Sequence, residues 1–222
     1  MLAGCDSDDT QVEMTEVVEQ GFDPFCETRP RIEFCEDFDT QALPGAFDEQ
    51  ISASSTMTLE DEEASSLPRS LLISVEPGGV GQLRHQFEAG GKLRLFGMLY
   101  VAELGEGDVE IASFELGDYR IGFGASEDGS LWGFEGETRL AGTGSLPVGK
   151  WASFRWDVNI YEDGTGSAKL RFGNDFIVNT EELSTPVGSD DAPVTTVGLS
   201  AESGAWTMRF DTLTVSVEET TP

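Results

Sequence analysis

The strongest constraint on this chain is a period of two. From Ile32 onward, short runs rich in β-branched and aromatic residues alternate apolar with polar positions, and glycine, proline or aspartate separates them. Successive side chains of an extended strand point to opposite faces, so such alternation marks one buried and one wet face. In Ile32 to Phe38, residues Ile32, Phe34, Glu36 and Phe38 share a side. In Lys150 to Tyr161, residues Ala152, Phe154, Trp156, Val158 and Ile160 share one face, leaving Trp151, Ser153, Arg155, Asp157 and Asn159 on the other. Further runs are Arg69 to Val75, Gln82 to Glu88, Lys92 to Leu104, Val109 to Leu116, Tyr119 to Gly124, Ser130 to Glu135, Ser167 to Phe172, Phe176 to Asn179, Val194 to Ser200 and Trp206 to Val217. Asp128-Gly129, Asp163-Gly164 and Gly173-Asn174-Asp175 supply the positive-φ corners of tight hairpins. The predicted class is all-β: two packed antiparallel sheets, a jelly-roll sandwich, over residues 32–218, with a tail at 219–222.

The residues before this domain read differently. Asp6, Asp8, Asp9, Glu13, Glu16 and Glu19 stand among scattered apolar residues, too few to order a segment, so residues 5–31 are expected to be a flexible acidic tether. Met1-Leu2-Ala3-Gly4-Cys5 resembles the lipobox of bacterial lipoproteins. That resemblance implies cleavage before Cys5, a lipid on its thiol, residues 1–4 as the remnant of a signal peptide whose start lies further upstream, and an exported, membrane-anchored protein at the cell envelope; the alternative is a chance quartet. Setting Cys5 aside leaves Cys26 and Cys35, which in an exported protein read as one disulfide. Closing so short a loop contributes about 2–3 kcal/mol in the chain-entropy model. No run reaches the apolar length of a membrane helix, so membrane attachment is expected through lipid alone. At 222 residues with 38% hydrophobic residues, one domain and a monomer are expected.

Forty-two acidic against thirteen basic residues leave a net charge of −29, which argues against nucleic acid and anionic lipid headgroups as partners. Such a surface suits solubility or cation binding.

Several anchors together resemble a family: Cys35-Glu36-Asp37-Phe38-Asp39, Leu146-Pro147-Val148-Gly149-Lys150-Trp151, Arg171-Phe172-Gly173-Asn174-Asp175-Phe176, and Met208-Arg209-Phe210-Asp211-Thr212-Leu213-Thr214-Val215. They look like a concanavalin A-like lectin/glucanase domain of the LamG type. The resemblance implies two curved sheets, a glycan or another extracellular protein as partner, and in many relatives a structural calcium between the first and last strands, here matched by Glu36, Asp37 and Asp211.

Glycoside hydrolases of this fold resemble one another in a Glu-x-Asp-x-x-Glu strand motif, because retaining hydrolysis needs two carboxyls about 5–5.5 Å apart flanking the bond. Glu110-Ile111-Ala112-Ser113-Phe114-Glu115 has the spacing but places alanine at the aspartate. Strict alternation also sends Glu110 and Glu115 to opposite faces unless a bulge intervenes. No catalytic residue is expected on this ground, and the chain reads as a non-catalytic binding module rather than an enzyme; the alternatives are a structural or adhesive envelope protein without a small ligand, and a glycosidase or lyase with a degenerate site. His85, the single histidine, comes without a nucleophile motif and is expected on a sheet surface. Sugar recognition calls for aromatic platforms with polar neighbours, and Tyr100, Tyr119, Arg120, Trp132, Arg155 and Asp157 are the candidates. Trp156 and Trp206 read as core, and Trp151 as sheet margin.

Overall fold

The computed structural model describes residues 26, 34–39, 43, 47–88, 91–161, 163–185 and 192–218. Cys5, the tether apart from Cys26, and the tail at 219–222 lie outside the described residues. All strand pairings are antiparallel, and no helix occurs among the described residues. One sheet runs β13 (Asp175–Ser184), β12 (Thr165–Phe172), β11 (Trp151–Ile160), β6 (Lys92–Tyr100), β15 (Trp206–Glu218), β4 (Ser70–Val75) and β3 (Ser55–Glu60), with β1 (Phe34–Glu36) also paired to β15. The other runs β10 (Thr138–Leu140), β9 (Leu131–Glu135), β8 (Tyr119–Ala125), β7 (Val109–Leu116), β14 (Val194–Ala201), β5 (Val80–Gln86) and β2 (Asp48–Ile51). The two stack as a sandwich.

Alternation builds the interface between them. Leu93, Leu95 and Leu99 of β6 are fully or almost fully buried while Lys92, Arg94, Phe96, Met98 and Tyr100 face outward. Phe123 of β8 crosses the sandwich, with its ring centroid 5.6 Å from Phe154, 5.8 Å from Trp156 and 6.1 Å from Phe172. Each such aromatic pair adds about 0.5–1.5 kcal/mol to the area it buries. Trp156 and Trp206 are core, as expected, and the Trp206 indole N–H donates to the Glu106 carbonyl at 3.0 Å.

Each of the twelve expected runs contains a strand. Three strands were not expected, β2, β3 and β10, and all three are sheet edges. Gly129, Gly164 and Gly173 take the positive φ their turns require. Cys26 and Cys35 form the disulfide, Cα atoms 5.5 Å apart, beside the first strand. The expectation for His85 is corrected: its imidazole is not on the sheet surface but packs on Phe34, Phe47 and Phe87, with centroids 4.2, 6.2 and 4.7 Å away. It lies on the Leu83 side of β5, which is the core side.

Candidate functional site

Strand β7 is the central strand of the seven-stranded sheet and carries the carboxylate pair. Glu110 stands opposite Gly124 of β8, Ser113 opposite Gly122, and Glu115 opposite Arg120, with a register shift between Glu110 and Ala112. Between the first two pairs β8 advances two residues and β7 three. The extra residue is a β-bulge, and it resets the alternation. Glu110, Ser113 and Glu115 therefore share the outer face with Arg120, Gly122 and Gly124, which corrects the expectation from strict alternation. Ser113 occupies the middle place, while Ala112 turns into the core.

Guanidiniums join the two carboxylates. Arg120 Nη1 donates to Glu110 Oε1 at 3.0 Å and Nη2 to Oε2 at 2.5 Å, and Arg120 Nε lies 3.5 Å from Glu115 Oε1. Arg84, from β5, donates to Glu115 Oε2 at 2.6 Å. Burial works against the charge of Arg120, but the bonds and charges of Glu110 and Glu115 outweigh it and raise its pKa above the ordinary arginine value. Ser113 and Thr196 are cross-strand partners beneath these side chains, and both hydroxyls are buried without a hydrogen-bond partner. A buried hydroxyl left unpaired is costly.

An aromatic shelf adjoins the pair. Trp132 and Phe134 of β9 stand opposite Gly124 and Gly122, and their rings lie where side chains on those glycines would be. Arg139 covers Trp132 at 4.5 Å and Arg120 covers Phe134 at 4.8 Å. Beyond Glu110 a cavity of about 890 Å³ opens, lined by Trp132, Arg139, Asp108, Glu127, Asp128 and Ser200 among others. The face thus combines two carboxylates, guanidiniums that can receive an anionic group, and an indole beside an open cleft.

The six candidate ligand residues do not form one groove. Arg120 and Trp132 lie on this face, whereas Tyr100, Arg155 and Asp157 are on the outer face of the eight-stranded sheet. Tyr119 packs against the core, and its hydroxyl donates to Glu135 Oε1 at 3.0 Å. Burial, followed by the Glu135 charge and hydrogen bond, pushes the Tyr119 phenol well above its ordinary range. Asp157 is held by Arg94 at 2.6 Å and Arg155 at 2.7 Å; burial raises its pKa, but these two cations outweigh burial and lower it. Sequence reasoning did not find Arg84, Ser113 or Thr196.

Glu36, Asp37 and Asp211 meet at one corner, joined by Asp39. Asp211 accepts from the Ser65 and Ser66 N–H groups and the Ser66 and Thr212 hydroxyls. Asp37 accepts from the Cys26 and Asp39 N–H groups, and Glu36 from that of Phe38. Burial raises Glu36, Asp211 and Asp39, the last to about 6, and the Asp37 and Asp211 charges push Asp39 in the same direction. Among the described residues no three His, Cys, Asp or Glu side chains group to hold a metal. The expected calcium ligands are taken up by backbone and hydroxyl donors and do not fit a cage as arranged.

No family model matches the sequence, and neither does any curated protein. Solved structures are similar in fold. An endo-β-1,4-glucuronan lyase from the fungus Trichoderma reesei aligns with TM-score 0.65 at 15% identity, over 84% of this chain and 96% of that one. A glycosyl hydrolase family protein from Mycobacterium fortuitum aligns with TM-score 0.52 at 13% identity, over 83% and 99%. A Trypanosoma rangeli sialidase aligns with TM-score 0.52 at 14% identity over 79% of this chain and 30% of its own. The fold is therefore the jelly-roll sandwich. These neighbours overturn the expectation that the chain is not an enzyme. That expectation rested on Ala112 and on opposed glutamates, and the bulge removes the second ground.

Proposed function

We propose that the protein is a glycan-cleaving enzyme whose substrate crosses the outer face of the seven-stranded sheet at Glu110 and Glu115. The bulge in β7 carries this reading, because it turns two carboxylates onto one face beside a shared guanidinium. Hydrolysis requires one of such a pair to donate a proton. Here both carboxylates already accept from guanidiniums, which suits a base beside a charge neutraliser better than an acid. Elimination from a uronic-acid polymer uses those two roles. Arg120 and Arg84 receive the sugar carboxylate and make the adjacent C–H more acidic; a glutamate released by that exchange takes the proton. The electron pair forms a C=C bond as the glycosidic C–O bond breaks, and the departing oxygen is protonated from solvent. Trp132, with Arg139 over its ring, lines the mouth of the cleft that a sugar would enter. The fold neighbour described as a glucuronan lyase supports the same direction.

The test is incubation with polygalacturonate, polyglucuronate and a neutral β-glucan, following ultraviolet absorbance of the unsaturated product and new reducing ends. Absorbance should grow with a polyuronate and vanish in Glu110→Gln and Glu115→Gln. Reducing ends without absorbance would replace elimination by hydrolysis, and neither signal on any polymer would overturn the reading.

The same proposal keeps the envelope address, a monomer held by lipid on Cys5 beyond the acidic spacer. Partition of the cell-derived protein into a detergent phase, with a lipidated Cys5 peptide by mass spectrometry, is the expected result; an unmodified Cys5 in the aqueous phase refutes it.

A further inference from the structure

The opposite face of the sandwich collects positive charge in a strongly acidic protein. Lys92, Arg94, Arg155, Lys169, Arg171 and Arg209 project from the outer face of the eight-stranded sheet, six of the thirteen basic residues of the chain. Arg155 and Arg171 stand directly opposite each other on β11 and β12. Like charges directly opposed across a strand pair are destabilising. Asp157 is shared by Arg155 and Arg94, while Lys169 pairs with Glu181 and Arg209 with Glu60. Arg171 pairs with no carboxylate among the described residues: its guanidinium lies 4.0 Å over the Phe176 ring, and its Nε is buried without a partner.

A cleft of about 1290 Å³ adjoins this pair, lined by Trp151, Ser153, Met98, Lys150, Asn174 and Phe176. Trp151 packs beside Tyr100 with centroids 5.6 Å apart, and Phe176 is 48% exposed. Aromatic surfaces and adjacent guanidiniums are the groups that take a carboxylated or sulfated sugar, the rings receiving apolar sugar faces and the arginines the anion.

We propose that this face is a second binding surface, for an anionic polysaccharide strand that runs from the Trp151–Phe176 cleft over Arg155 and Arg171. It is separate from the Glu110–Glu115 face and does not depend on that face being catalytic. The net charge of −29 does not forbid it, because at about 0.15 M salt charges more than about 8 Å away are largely screened and the local cations dominate.

The test uses Glu110→Gln protein, so that bound polymer is not degraded, on biosensor surfaces carrying polygalacturonate, dextran sulfate or neutral dextran at that salt concentration. Binding is expected on one or both anionic surfaces and not on dextran, with the two anionic arms separating carboxylate from sulfate recognition. The double change Arg155→Gln, Arg171→Gln should weaken it about tenfold or more, two charge-assisted bonds being lost. Lys150→Glu, at an exposed position on the cleft rim, should weaken it without touching the core. Equal binding to dextran, no binding to any surface, or binding that survives both variants overturns the proposal. Absence of cleavage by the wild-type protein, with anionic binding retained, would count against the enzyme reading alone.

Discussion

Asp39 Oδ2 is a buried carboxyl oxygen with no hydrogen-bond partner, in a corner that also holds Glu36, Asp37 and Asp211. Its pKa, raised from 3.8 to about 6, means that the folded protein binds a proton there more tightly than the unfolded chain. The stabilisation is full below the ordinary aspartate range and is lost as pH rises through about 6. Glu36 and Asp211, also raised, carry the same sign. Asp157 runs the other way: its contribution is present at neutral pH and lost only in stronger acid, below this window. Thermal melts should therefore give a higher Tm at about pH 5 than at about pH 7. Asp39→Asn should raise the Tm at the upper pH and flatten the difference; parallel profiles for the two proteins would refute the assignment.

At the scale of elements, the aromatic shelf depends on glycines in β8. A Cβ on Gly124 would come within 2.2 Å of the Val109 carbonyl oxygen and 2.6 Å of Trp132 Cζ2, so Gly124→Ala must move either a backbone or the indole. A loss of roughly 1–3 kcal/mol in urea unfolding is expected, together with a shift in tryptophan emission; an unchanged unfolding curve would mean the ring is not seated there. Strands with a fully buried face were legible because period two leaves a mark in the residues. The strands that escaped hide too little: β2 is exposed along its whole length, and β3 and β10 are edges. The spacing of Glu110 and Glu115 was legible, but the bulge was not, since Ile111 and Ala112 are both apolar and read as core whichever carries the extra step. Arg84 reaches Glu115 from β5 and Thr196 stands opposite Ser113 from β14, proximities the linear text does not contain. Tyr100, Arg155 and Asp157 were correctly read as outward-facing, yet parity tells inside from outside and not one sheet from the other.

Across the whole molecule, a charge of −29 repels itself more strongly in the compact state than in the expanded one. Raising salt from about 0.01 to about 0.15 M shortens the screening length from about 30 to 8 Å. The Tm should rise by about 2–5 °C in differential scanning calorimetry. A fall instead would mean that surface pairs such as Arg84–Glu115 and Arg139–Asp108 matter more than the collective repulsion. Strand β15 comes last among the described strands and yet lies between β6 and β4, with β1 beside it as well. Until it emerges from the ribosome or a translocation pore, β3 and β4 have no link to the β6–β13 half of their sheet. A chain cut before Trp206 would lack the strand that joins the β3–β4 hairpin to the β6–β13 half, leaving two unsewn flaps rather than a shortened sandwich.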